Sequence, residues 1–216
     1  MSLARRIRRI PRRIKRKISP PPPPTPRAEI LRKREAERAR MLATLTAGGD
    51  CAEIGTWRGD FAAVILRDRR PKHLYLVDPW EHRTDENYEK ASYGGKMQGG
   101  QQALDEMYES VMARFAGEIS SGQVTVLRQR SGDAARTFAP ESLDWVYIDG
   151  DHSYEGVSAD LESYFGAVKP GGLIAGDDYG HQGSWFEDGV KRAVDEFSDR
   201  CAGLEVIGTQ FVLRKP

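Results

Sequence analysis

Four carboxylates stand at the ends of two apolar runs in the C-terminal half of this 216-residue chain. LDWVYIDGDH delivers Asp149 and Asp151 with His152 beside them, and GGLIAGDDYG delivers Asp177 and Asp178. Negative charge gathered at the ends of buried strands requires compensation, by a metal ion, a cationic ligand or a proton in transit. Asp149, Asp177 and Asp178 offer the hard oxygen ligands that Mg²⁺ prefers. Neighbouring residues of an extended strand point to opposite faces, so Asp177 and Asp178 share one ion only if the backbone turns there, which Gly176 eases. The competing account has Asp177 capping a loop, Asp178 alone facing the site and no metal. For proton abstraction Asp149 and Asp151 compete with His152 and His181, and an imidazole has the better intrinsic pKa near neutrality.

A second feature is the turn EIGTWRG, from Glu53 to Gly59. Gly55 and Gly59 allow a tight turn and close approach of a ligand to the backbone. The middle glycine of a dinucleotide fingerprint is missing and Trp57 stands in its place, so a pyrophosphate fits badly. Asp78 ends the next strand, 23 residues after Gly55, where a carboxylate can accept hydrogen bonds from both hydroxyls of a ribose. A nucleoside without phosphates suits this pair; an ordinary strand-to-helix turn with a helix-capping acid explains it equally.

These residues need a frame to bring them together. Strand-like runs CAEI, HLYLVD, VTVLR, LDWVYID and GLIAGD alternate with helical stretches beginning near Asp60, Gln101, Asp133, Glu155 and Phe186. Such alternation predicts an α/β fold, a doubly wound, mostly parallel sheet with helices on both faces. GLEVIG and TQFVLR, meeting at Gly208 and Thr209, predict a closing antiparallel hairpin. Ligands of open α/β sheets bind at the carboxyl ends of the strands, where all the unusual residues fall. The polar, glycine-rich insertion at 81–102, containing Tyr88 and Tyr93, suits a lid that excludes water; a surface loop is the plainer account, and Trp80 and both tyrosines fit either.

Composition divides the chain. Residues 1–20 carry nine Lys/Arg and no acid, leaving 24 basic against 32 acidic residues in the remainder. An acidic body argues against non-specific nucleic-acid binding by the domain. In the tail, residues 1–19, Leu3, Ile7, Ile10, Ile14 and Ile18 fall at helical spacing among basic residues. Residues 1–17 could meet an anionic membrane surface, RNA or an acidic partner, or stay solvated and disordered. A proline-rich spacer (20–27) follows, then an N-terminal segment (28–47) with a charged helix over 28–45 that can dock through Ile30, Leu31, Met41, Leu42 and Leu45. The domain proper is expected at 48–216. Cys51 and Cys201 make no disulfide framework or metal cluster. No stretch approaches a membrane span or a secretory signal, so a cytoplasmic location is expected, peripheral to the inner membrane face if the tail binds lipid. Homo-oligomerisation is left open.

EIGTWRGDFAAVIL, LYLVDPW, SLDWVYIDGDHSYEGVSADL, KPGGLIAGDDY and GVKRAVDEF together resemble the class I S-adenosylmethionine-dependent methyltransferases over residues ~50–216, in the branch that includes macrocin-type sugar O-methyltransferases. The resemblance implies a Rossmann-like methyltransferase fold, seven strands with an antiparallel last strand. It implies S-adenosyl-L-methionine as cofactor, with Glu53, Gly55, Thr56 and Gly59 around the methionine part, Asp78 on the ribose, Ser131 and Asp133 near adenine, and Asp149 bordering the same pocket. The implied reaction is O-methylation of a small hydroxylated acceptor, a sugar or glycoside, with Mg²⁺ at Asp149, Asp177 and Asp178 and with Asp149, His152 and Asp151 as catalytic candidates. Rival readings are a nicotinamide oxidoreductase, disfavoured by the missing glycine; a nucleic-acid methyltransferase, disfavoured by the acidic body and by DPW and GDDY; and a nucleoside-binding module recruited by its tail.

Overall fold

The structure, a computed structural model, describes residues 25–84, 88, 93, 96–180, 186 and 188–216. The basic tail, the spacer before Thr25, most of 85–95 and His181 lie outside the described residues.

Seven strands form one sheet, β1 (Asp50–Ile54), β2 (His73–Val77), β3 (Val124–Leu127), β4 (Leu143–Ile148), β5 (Val168–Gly176), β6 (Gly203–Ile207) and β7 (Gln210–Arg214), in the order β3-β2-β1-β4-β5-β7-β6. The first five pair in parallel, and β7 runs antiparallel to both β5 and β6. The expected hairpin therefore forms, and it inserts its second strand, the reversed last one, between β5 and β6.

The helices are α1 (Pro26–Thr44), α2 (Asp60–Arg69), α3 (Gly100–Arg114), α4 (Ala116–Ser120), α5 (Ser131–Ala135), α6 (Tyr154–Phe165) and α7 (Gly189–Ser198). Central strands are buried on both faces because helices cover both. Along β4, Trp145 and Tyr147 enter one core with Met41, Leu42, Leu45, Phe61, Ile65 and Leu104. Val146 and Ile148 enter the other with Leu161, Tyr164, Val190, Val194 and Phe197. Period-2 alternation thus assigns α1, α2 and α3 to one face and α5, α6 and α7 to the other.

Helix α1 starts at Pro26, earlier than the spacer boundary predicts, since proline is tolerated in a first helical turn where N–H groups have no intrahelical partner. Of the five apolar residues expected to dock it, Met41, Leu42 and Leu45 are buried, whereas Ile30 and Leu31 are 61% and 53% exposed. Helix α7 begins three residues after Phe186, at Gly189, where a Cβ would stand 2.7 Å from the Tyr154 amide nitrogen. Cys51 is buried, Cys201 is half-buried and both are free thiols. Among the described residues no helix is long and apolar enough to cross a membrane.

Leu42 is fully buried, so Leu42→Ala is expected to destabilise the chain by about 2–5 kcal/mol in denaturant unfolding, against changes within about 0.5 kcal/mol for Ile30→Ala or Leu31→Ala.

Candidate active site

Strands β4 and β5 end side by side, with Ile148 opposite Gly176, and the residues that follow them make the acid cluster. Asp178 adopts a left-handed conformation, φ 60°. This is the backbone turn that the Asp-Asp pair requires, and it sends the two carboxylates into different roles.

The side chain of Asp177 is 1% exposed and satisfied on both oxygens. Its Oδ1 accepts from the Asp178 amide at 2.7 Å, from Thr209 Oγ1 at 2.8 Å and from Gln210 Nε2. Its Oδ2 accepts from Arg34 Nη2 at 3.2 Å and from Arg38 Nη2. Burial works to raise its pKa, but Arg38, the Asp178 amide, Arg34 and Thr209 together hold it below the usual carboxylate value.

Asp149, His152 and Asp178 come together instead, each offering one potential ligand atom within 4.8 Å of the others. His152 Nε2 lies 3.2 Å from Asp149 Oδ1, and Nδ1 lies 3.6 Å from Asp178 Oδ2. The outer oxygens are also engaged, Asp149 Oδ2 by Arg38 Nη2 at 3.1 Å and Asp178 Oδ1 by Arg34 Nη2 at 2.8 Å. Burial tends to lower the His152 pKa; the bond to Asp149 and the charges of Asp149, Asp178 and Asp177 outweigh it and raise the pKa. The Asp178 pKa is raised by burial and by Asp177, against His152 and Arg34.

Mg²⁺ does not fit this arrangement. It demands near-octahedral oxygen coordination, whereas Asp177 is turned into a five-donor pocket and the oxygens of Asp149 and Asp178 face guanidinium or imidazole nitrogens. Of the expected ligands Asp149, Asp177 and Asp178, the structure groups Asp149 and Asp178 with His152 and leaves Asp177 outside that group. Asp151 stands apart, accepting from Tyr88 Oη at 2.6 Å and from the Ser153 amide at 2.9 Å.

At the end of β1, Gly55 has φ 89°, and a Cβ there would stand 2.1 Å from the Asp149 carbonyl oxygen. A Cβ on Gly59, φ 73°, would stand 2.6 Å from Phe115 Cε2. Both glycines are required by the protein's own packing, which the sequence pattern attributes to a ligand. Glu53 is 2% exposed. Among the described residues its Oε2 has no hydrogen-bond partner, nor does the buried Thr56 Oγ1. Burial and the charge of Asp149 push the Glu53 pKa well above its ordinary value.

Asp78 accepts from the Trp57 amide at 2.9 Å on Oδ2, and from the Trp80 amide at 2.8 Å and Tyr93 Oη on Oδ1. Tyr93 also stacks on Trp57, ring centroids 4.7 Å apart. Trp80 is wholly buried. Ser131 donates its hydroxyl to the buried Asp160, while Asp133 pairs with Arg136 at 3.0 Å. A 440 Å³ depression lies beyond, lined by Pro79, Trp80, Glu81, Arg128, Arg130 and Asp133 among others. A larger one, 580 Å³, lies between the start of α2 and α3 and involves none of these strand-end acids.

A family model described as a methyltransferase domain matches residues 52–179, more than half of the chain. The chain belongs to that family. Its methyltransferase domain is of the S-adenosylmethionine-dependent class, and solved structures share its fold at low identity. The O-methyltransferase NovP is 22% identical, with 87% of this chain and 79% of that one covered at a TM-score of 0.51. A Corynebacterium glutamicum protein is 18% identical, covering 87% and 89% at a TM-score of 0.56. An rRNA methylase from Streptococcus thermophilus is 11% identical, covering 83% and 94% at 0.52. An uncharacterized protein of Acanthamoeba polyphaga mimivirus is 27% identical over 131 residues, 59% of this chain; the chain matches 50% of that relative's length.

S-adenosylmethionine fits the methyltransferase domain at the β1 edge, where the buried Glu53 carboxyl and Thr56 hydroxyl lie close enough to interact with each other and neither Glu53 Oε2 nor Thr56 Oγ1 has another partner among the described residues. Asp78, expected on a ribose, has both oxygens engaged here by the Trp57 and Trp80 amides and the Tyr93 hydroxyl. Sequence reasoning missed Arg34 and Arg38, although their spacing with Met41, Leu42 and Leu45 places them on the docking face of α1. It also missed Gln210 and Asp160, which lie within unremarkable runs.

Asp160 lies on α6 and is buried. Burial, opposed by Ser131 and aided by Asp151, pushes its pKa up to about 7. The folded chain therefore holds a proton that the unfolded chain releases near pH 3.9, so this contribution to stability is present below that pH and lost as pH rises through about 7. Asp160→Asn escapes the loss. Its unfolding free energy relative to wild type, read by denaturant titration, is expected to rise between pH 5 and pH 8, on the order of a few kcal/mol in all.

Proposed function

We propose that this chain transfers a methyl group from S-adenosylmethionine to a hydroxyl of a small acceptor, of the sugar or glycoside class, with His152 as the proton acceptor. The imidazole held between Asp149 and Asp178 at the carboxyl edge carries this reading. A hydroxyl is a poor nucleophile while protonated, so it is the acceptor that most needs a base.

S-adenosylmethionine, when bound, supplies an electrophilic methyl on a sulfonium that leaves as a neutral thioether. Glu53 and Thr56 would hold the methionine part, and Asp78 the ribose once Tyr93 yields its position. Ser131 and Asp133, at and beside the start of α5, border the proposed adenine end. The task left to the chain is to align the acceptor oxygen with the methyl carbon and to remove the proton. His152 takes that proton as the C–O bond forms, and the carboxylates of Asp149 and Asp178 stabilise the resulting imidazolium. Asp151, engaged by Tyr88 and the start of α6, is assigned to holding the insertion rather than to proton transfer.

Calorimetric titration with S-adenosylhomocysteine tests the cofactor reading: one molecule bound per chain is expected, weakened in Asp78→Asn, and no detectable binding would sink it. His152→Ala is expected to lower kcat on a hydroxylated acceptor by about 10²–10⁴ while leaving S-adenosylhomocysteine affinity nearly unchanged. Full turnover in that variant removes His152 from the mechanism.

A further inference from the structure

We propose that Arg34 and Arg38 are the resident cations of the acid cluster: a guanidinium pair carried by α1 that takes the place of a divalent ion, so the site neither requires nor takes up a metal. Both arginines lie outside the family match, which begins at residue 52.

The geometry supports this residue by residue. Arg38 Nη2 bridges Asp149 and Asp177, and Arg34 Nη2 bridges Asp177 and Asp178, so each guanidinium links two carboxylates as a bridging cation would. With His152 between Asp149 and Asp178, three carboxylates face two guanidiniums and one imidazole among the described residues. A divalent ion placed there would meet carboxylates already paired with two guanidinium charges and would have to displace guanidinium hydrogen bonds from oxygens that are partly withdrawn from water. Arg38 is further seated over the Phe61 ring, 4.9 Å from its centroid, a stacking position that suits guanidinium better than ammonium. The Arg38 pKa, which burial alone would lower, is raised by the surrounding acids, so the charge is permanent.

Arg34 and Arg38 are accordingly positioning residues. They hold the outer oxygens of Asp178 and Asp149, leaving the inner oxygen of Asp149 on His152 Nε2 and that of Asp178 3.6 Å from Nδ1. The inference concerns the charge of the cluster and holds for any acceptor.

Mn²⁺ titrated into the full chain, followed by calorimetry and by the paramagnetic signal of the free ion, tests the proposal. The wild type is expected to show no stoichiometric binding tighter than about 1 mM. Arg34→Met/Arg38→Met, left with three uncompensated carboxylates, is expected to bind one ion at least about tenfold more tightly. Arg34→Lys/Arg38→Lys, which keeps the charge, is expected to stay with the wild type. Should the double Met variant fail to fold, Arg38→Met/Asp177→Asn removes one charge of each sign and is expected to fold and bind Mn²⁺ as weakly as wild type. One Mn²⁺ bound by the wild type at micromolar affinity, or equal affinity in the wild type and the double Met variant, overturns the proposal. S-adenosylhomocysteine titration of the same samples reports the cofactor reading separately.

Discussion

A carboxylate almost wholly withdrawn from water must be neutralised where it lies, and Asp177 is that carboxylate. Its five donors come from α1, from the turn after β5, and from the turn and first residue of the final hairpin strand. Gln210, which donates to it, also accepts from the buried Tyr147 hydroxyl at 3.0 Å, so the network reaches back into β4. Leaving such a group unpaired costs several kcal/mol, which makes the seat of α1, the end of β5 and the start of β7 mutually dependent. From there the order passes outward: Arg38 to Asp149, Asp149 to His152, His152 to Asp178.

The frame was legible in the sequence because burial imposes periodicities on it. The LDWVYI run is apolar on both faces and is a central strand; GLEVIG and TQFVLR meet at Gly208 and form the hairpin. The acids at the ends of β4 and β5 were legible for a related reason, since charge at the end of a buried run is conspicuous. Much of what they bond to was not, because Arg34, Arg38, Thr209 and Gln210 lie 32 to 144 positions away along the chain. In α1, RKREAERAR shows charge on every face, which hides the two arginines that matter among those that merely meet solvent. Only their register with Met41, Leu42 and Leu45 separates them.

The nucleoside side shows a different limit. Gly55 and Gly59 signal close approach to the backbone, and sequence alone does not say of what; here it is the Asp149 carbonyl and the Phe115 ring. The insertion after β2 does reach the site. Tyr88 holds Asp151 and Tyr93 holds Asp78, so two strand-end acids each carry a phenol from the same segment. The long polar run between β2 and α3 is thus tied to the carboxyl edge at two points on different strands, with Arg83 stacked 3.9 Å from the Tyr88 ring centroid.

Helix α1 crosses the sheet face from the carboxyl edge, where Arg34 and Arg38 meet the acids, to the opposite edge, where Leu45 leads into β1. Pro26 lies eight residues before Arg34, about 12 Å further along the helix axis, and the exposed Ile30 and Leu31 occupy the stretch between. The first turns of α1 therefore extend past the strand-end acids on the carboxyl side of the sheet, so the two exposed apolar side chains of the helix lie beside the acid cluster and not over the core.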